Sequence, residues 1–187
     1  CDSLAFEKIT GFAEKALEFF TNFSSVELEL RTKSIVSDTL LNRSPISNCV
    51  VAYSLAPSNV AAILDNKAPS IDRRINVLQK LAKNGWSVGL RFDPLIYCSG
   101  WEKLYSELIH KIFNDINIEQ VHSVSHGPLR YPKEMYKKIT SLYPDDKLFS
   151  FPMEAKVGIV SYGKEIEEEM SSFLQFELEK FTTRNKI

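Results

Sequence analysis

Charged and hydroxyl-bearing side chains recur where the strands of this 187-residue chain are expected to end. The candidates are Arg31-Thr32-Lys33, Ser54, Arg91 with Asp93, and Ser125-His126. Parallel βα sheets bind ligands at the carboxyl ends of their strands, so these side chains are expected to share one rim. Cations, a carboxylate and hydroxyl groups together suit a small zwitterionic molecule that is rich in hydroxyls. The alternative is that these charged strand ends merely face water.

Alternating helices and strands must position these residues. The strand patterns cover residues 26–32, 49–55, 86–93 and 119–125, and Pro94 is expected to end the third strand. The helical patterns cover residues 4–22, 35–41, 57–64, 70–83, 100–116, 132–142 and 165–181. Residues 148–163 give no clear pattern. The alternation predicts an α/β fold with parallel strands and outer helices.

Two of the predicted strands carry a polar row on one face. Glu27, Glu29, Arg31 and Lys33 alternate with apolar residues in the first strand, and Ser87, Gly89, Arg91 and Asp93 do so in the third. A polar row on a strand of a parallel sheet indicates a face that lines a wet or ligand-filled lumen. The pattern favours a βα barrel, complete or partial. A complete eightfold barrel typically needs about 250 residues, which is more than this chain has.

The composition is that of an ordinary globular protein, with 44% hydrophobic and 25% charged residues. A formal net charge of -1 gives no indication of a dominant polyanion-binding surface. The three cysteines are far apart, which fits neither a disulfide framework nor a zinc finger and favours a reducing cytoplasm. No apolar run is long enough to span a membrane. Residues 1–187 are expected to form a single domain.

A series of short motifs carries a family resemblance. The motifs are Leu30-Arg31-Thr32-Lys33-Ser34, Tyr53-Ser54-Leu55, Ala68-Pro69-Ser70 with Arg73-Arg74, residues 89–94, and Gly100-Trp101. In order and spacing, over most of residues 1–165, the chain resembles the C-terminal half of spore photoproduct lyases, a family of the radical S-adenosylmethionine (SAM) superfamily. The resemblance implies a partial (βα)6 barrel, a [4Fe-4S] cluster and SAM. It also implies cleavage of SAM to a 5′-deoxyadenosyl radical, which the type enzyme uses to repair a thymine photoproduct in DNA.

The resemblance also implies roles for individual residues. Lys33 matches the lysine that contacts the SAM carboxylate, and Ser54 matches a serine of the SAM pocket. Asp93 falls where the family's strand passes the adenosine. Cys1 aligns with a cysteine that returns a hydrogen atom to the product radical, a task that suits the weak S–H bond of a thiol.

Three residues are expected to face the substrate: Arg91, His126 and Lys156. The differences between this sequence and the family pattern concern this side of the site. Arg91 and Asp93 replace apolar or small family residues, and Lys156-Val157-Gly158 stands where the type enzyme has an Arg-Tyr-Gly run at the DNA lesion. The lost aromatic ring is a lost stacking surface. Together with the acidic pI this makes a relative with a non-DNA substrate an open alternative.

The sequence contains no CxxxCxxC run, so the cluster ligands are expected in an N-terminal half that this chain lacks. The enzyme is therefore expected to be active only when complete. Two further alternatives stay open: a non-catalytic half-barrel that binds a nucleotide or a partner, and an N-terminal nucleophile at Cys1. His122 and His126 could share a face but have no third ligand, so no metal site is predicted. Cys98 is either a second thiol near the site or a plain loop cysteine.

Overall fold

A computed structural model describes residues 2–149, 151 and 153–187. Four parallel strands form the main sheet in the order β1-β2-β3-β4. They are β1 (Leu28–Thr32), β2 (Cys49–Ser54), β3 (Ser87–Leu95) and β4 (Val121–Pro128). The helices between and around them are α1 (Glu7–Thr10), α2 (Phe12–Phe20), α3 (Asp38–Leu41), α4 (Ser58–Leu64), α5 (Ile71–Lys83) and α6 (Trp101–Asp115). The expected α/β class with parallel strands and outer helices is confirmed.

A second, antiparallel sheet follows in the order β5-β7-β6. Its strands are β5 (Arg130–Pro132), β6 (Met153–Ala155) and β7 (Ile159–Tyr162), and the helices of this part are α7 (Lys133–Leu142) and α8 (Lys164–Glu179). Sequence patterns missed this sheet because strands of three or four residues are too short to show a period. Within the described residues, no helix combines the length and the apolar character that a membrane span requires.

The first helical pattern is interrupted, contrary to the prediction of one helix over 4–22. Gly11 has a left-handed φ of 57° and separates α1 from α2. The buried Glu7 carboxylate then accepts the Ala13 N–H at 2.7 Å and the Glu14 N–H at 3.1 Å. These two bonds satisfy donors that a helix start leaves unpaired. Glu7 thus caps the helix that follows its own.

Strand β3 does not end at Pro94, as the sequence suggested, but continues to Leu95. A proline is tolerated in a strand where the ladder needs no N–H. Here the pairing of β3 with β4 is irregular between Phe92 and Leu95, which is where Pro94 falls. The fourth strand begins at Val121, after a short 3-10 helix over Ile118–Gln120.

The strand register defines two faces of the main sheet. Arg31 lies beside Ala52, and Ala52 beside Gly89, so the polar rows of β1 and β3 share one face. The opposite face carries Leu30 and Leu90, which are fully buried in the main core against the helices. The polar face is the lumen that the alternation predicted.

The cap at α2 gives a stability prediction. Glu7→Ala is expected to lower the free energy of unfolding by about 1–3 kcal/mol, because a buried N–H donor and a partly buried one lose their acceptor. Chemical denaturation measures this change. The matched control, Glu18→Ala, removes an exposed carboxylate from the capped helix α2 and is expected to change the free energy of unfolding by no more than about 0.5 kcal/mol. Equal effects of the two substitutions would contradict the capping role.

Candidate functional site

The lumen floor is closed by an ion pair between Arg91 and Glu29. The Arg91 guanidinium lies 2.6 Å from the Glu29 carboxylate and donates to the Ser123 hydroxyl at 3.0 Å and carbonyl at 3.1 Å. The hydrogen bond from Arg91 holds the pKa of Glu29 below its ordinary value. Gly89 leaves room for this arrangement, since a Cβ there would lie 2.9 Å from the guanidinium. Arg91 is therefore in the lumen, as expected, but its donors are committed to protein partners.

The next layer toward the strand ends joins Ser54 and Asp93 through Arg31. The Arg31 Nε donates to the Ser54 hydroxyl at 3.3 Å, and its Nη2 donates to the Asp93 carbonyl at 3.1 Å. The Asp93 carboxylate lies 3.7 Å from Arg31 and 4.0 Å from Arg130 of β5. Two predicted cofactor-binding residues are thus held by one guanidinium.

A third layer combines Lys33, Asp65 and Arg74 at the rim. Arg74 is 1% exposed and donates to the carbonyls of Pro69 at 2.9 Å and Ser54 at 3.1 Å. Its guanidinium forms an ion pair with Asp65 at 2.7 Å, and Asp65 forms another with Lys33. Burial raises the pKa of Asp65, but the hydrogen bonds from Lys33 and Arg74 outweigh it and hold the pKa below its ordinary value. Asp65 is therefore ionised at neutral pH.

The second and third layers contribute residues to a cavity of about 230 Å³. Lys33, Ser54 and Asp93, which the resemblance assigned to SAM, all line this cavity, together with Asp65 and Arg74. Most of the other lining residues are apolar, and they come from α4, from the segments after β2 and β3, and from the region around β5. The cavity thus presents an exposed ammonium group, a hydroxyl group, carboxylate groups and an apolar wall. This combination of groups suits an amino acid that is linked to a nucleoside.

An apolar cavity of about 480 Å³ adjoins the first and shares Val60, Leu64, Ile96 and Leu148 with it. Cys98 lines this second cavity, and burial raises the pKa of its thiol. The thiol is therefore in its S–H form at neutral pH. Cys98 lies on the rim side, which both of its interpretations expected, and its position does not decide between them.

The remaining predicted site residues do not meet at the cavity. His126 pairs with Phe92 in the strand register, which places it on the helix-packed face, and burial lowers its pKa. Lys156 follows β6 and forms an ion pair with Glu167 of α8 at 2.7 Å. His122 lies 3.2 Å from Glu27, and the described part of the chain has no cluster of three metal-ligating side chains.

Cys1 lies outside the described residues, but its neighbour Asp2 is anchored beside the site. The Asp2 carboxylate accepts the Lys33 backbone N–H at 2.6 Å and the Thr32 hydroxyl at 2.7 Å. Ser3 donates its N–H to the Arg31 carbonyl at 3.0 Å. The chain segment that follows Cys1 is therefore tied to the carboxyl end of β1.

Sequence reasoning missed Asp65 as a site residue and used Arg74 only as part of a motif. Asp65 opens the polar stretch Asp65-Asn66-Lys67, which is indistinguishable from a solvated turn. Arg74 left a better signal, because it shares the buried face of α5 with Ile71, Ile75 and Leu78. A lone cation in an apolar stripe requires a buried partner.

Known proteins match this chain in sequence and in fold. The spore photoproduct lyases of Bacillus subtilis and a Geobacillus species are each 23% identical to it, over 100% and 92% of the chain. A solved spore photoproduct lyase mutant with bound AdoMet and dinucleoside spore photoproduct superimposes with a TM-score of 0.83 at 22% identity, over 96% of this chain. A second solved complex, with dinucleoside spore photoproduct, gives a TM-score of 0.80 at 21% identity.

The chain spans about half the length of these relatives, namely 57% and 54% of the two curated proteins and 56% of the solved chains. The superposition confirms the expected barrel fragment, with its parallel strands and outer helices. A profile of the spore photoproduct lyase family matches residues 1–185. The chain therefore belongs to the spore photoproduct lyase family.

Proposed function

We propose that the complete protein is a radical SAM enzyme of the spore photoproduct lyase type, and that the cavity at the strand ends binds SAM. One observation carries the proposal: Lys33, Ser54 and Asp93, to which the resemblance gives SAM-binding roles, line one cavity. Strand ends of one parallel sheet share an edge in any case, so the support lies in the match between these residue types and the polar groups of SAM. The retention of all three residue types weighs against a non-catalytic half-barrel.

The residues present fit SAM by their chemistry. The Lys33 ammonium is a point charge with three donors, which suits the SAM carboxylate. Ser54 and Asp93 offer groups for the polar parts of the ligand. When bound, SAM together with a reduced [4Fe-4S] cluster supplies a 5′-deoxyadenosyl radical.

The cluster itself does not fit the described residues. Cys49 is fully buried in the core, and burial raises the pKa of its thiol to about 12. A thiolate ligand there would be disfavoured. The cluster ligands would therefore belong to the part of the protein that the relatives have beyond this chain, and that part is the first proposed partner. The free thiols of Cys49 and Cys98 support a reducing, cytoplasmic compartment.

DNA that carries a thymine photoproduct is the proposed substrate and second partner. Support comes from the family and from the solved relatives that bind dinucleoside spore photoproduct. A second candidate, a non-DNA substrate, is favoured by the lumen floor, where Arg91, which replaces an apolar or small family residue, forms an ion pair with Glu29. Anaerobic reconstitution of the complete protein, followed by assays with the dinucleoside photoproduct, distinguishes the two. SAM cleavage without repair would contradict the DNA assignment, and absence of SAM cleavage would contradict the enzyme class.

The Lys33 role predicts a binding defect. Lys33→Ala in the complete protein is expected to weaken SAM binding about tenfold or more, because a charge-assisted hydrogen bond to the ligand carboxylate is lost. Titration calorimetry measures the affinity, and thermal unfolding verifies the fold. Lys164→Ala, which removes a lysine with 81% of its side chain exposed, is the matched control. Unchanged SAM affinity in Lys33→Ala would remove Lys33 from the site.

The proposed hydrogen-atom donor predicts a separate defect. Cys1→Ala is expected to leave SAM consumption intact but to divert the product radical, which lowers the ratio of repaired product to 5′-deoxyadenosine. Cys98→Ala provides the comparison, since the Cys98 thiol lines the apolar cavity. A normal product ratio in Cys1→Ala together with a lowered ratio in Cys98→Ala would transfer the role to Cys98.

A further inference from the structure

We propose that Arg74 and Asp65 are positioning residues that hold Lys33 and the Ser54 segment in place for a ligand carboxylate. The proposal rests on the proposed function, because the carboxylate concerned is that of SAM. Neither residue needs to touch the ligand for this role. Its physical basis is a chain of contacts that runs from the buried Arg74 through Asp65 to the open end of Lys33.

Arg74 joins three separate segments of the chain at one buried point. Its guanidinium donates to the Ser54 carbonyl at the end of β2 and to the Pro69 carbonyl before α5, and it pairs with Asp65 after α4. A guanidinium that is 1% exposed is tolerated only when its charge and donors are matched. The rigid, planar fork of donors fixes these three partners relative to one another.

Asp65 connects the buried Arg74 to Lys33 through an ion pair with each of them. Its carboxylate is 10% exposed and lies between the Arg74 guanidinium and the Lys33 ammonium. The Lys33 side chain, by contrast, is 41% exposed and lines the cavity. Asp65 occupies one of the three ammonium donors, which leaves the others for a ligand.

Two effects of Asp65 on an anionic ligand oppose each other. Its charge repels a second carboxylate, but two cations share that charge, so Lys33, Asp65 and Arg74 together remain positive by one unit. Its contact also restricts the long and flexible Lys33 side chain before the ligand arrives. Less side-chain conformational entropy is then lost when the ligand binds. Because Arg74 already neutralises the carboxylate, we expect the restriction to dominate.

The test compares SAM with decarboxylated SAM on the complete protein. Asp65→Asn keeps the shape of the side chain and removes its charge, and it is expected to weaken SAM binding about tenfold, as for one charge-assisted contact. Affinity for decarboxylated SAM is expected to stay unchanged, because that ligand lacks the group that Lys33 binds. A merely structural role of Asp65 would weaken both ligands alike.

The control is Asp72→Asn on the surface of α5, where Asp72 pairs with Lys111. It is expected to leave both affinities unchanged, and Asp65→Glu, which retains the charge, is expected to restore part of the SAM affinity. Equal losses for the two ligands, or tighter SAM binding in Asp65→Asn, would overturn the positioning role. If the wild-type protein binds neither ligand, or binds both equally, the failure lies with SAM and Lys33 in the proposed function instead.

Discussion

The burial of the Arg74 charge is the constraint on which the rim of this molecule depends. An unpaired guanidinium in the core would be prohibitively costly, so the chain must bring acceptors to it. It does so with the last residue of β2, the turn before α5 and the carboxylate after α4. Ser54, Asp65 and Arg74 itself line the cavity. The stability of the fold and the shape of the site are therefore linked through one side chain.

Charge is organised in layers along the lumen. The floor is a closed pair of Arg91 and Glu29, whereas the rim carries cations in excess of carboxylates. This ion pair contributes little attraction for a ligand, because the opposite charges of the two side chains largely cancel each other. The rim, which is partly solvated and net positive, is where a negatively charged group would be attracted. This division explains how a chain of net charge -1 can present a cationic site.

Much of the fold could be predicted because parallel strands and amphipathic helices leave clear periods in the sequence. The convergence of Lys33, Ser54 and Asp93 followed from the rule that strand ends of one sheet share an edge. The position of His126 did not follow, because a strand pattern fixes neither the register nor the face when polar residues occupy both sides. Asp65 was missed for a different reason: its role depends on a buried arginine that is distant in sequence. The small antiparallel sheet was too short to leave a pattern.

The closeness of Gly89 to the Arg91 guanidinium has a consequence for how this lumen could have changed over time. A side chain at position 89 would collide with the guanidinium and with the Ala52 Cβ, which lies 3.0 Å from where a new Cβ would be. An arginine without Glu29 would in turn leave a buried charge without its counter-ion. Substitutions at these three positions are therefore acceptable only in certain orders, with the glycine and the acid in place before the arginine. A substitution of Gly89 or of Glu29 alone would therefore lower the stability of the charged floor.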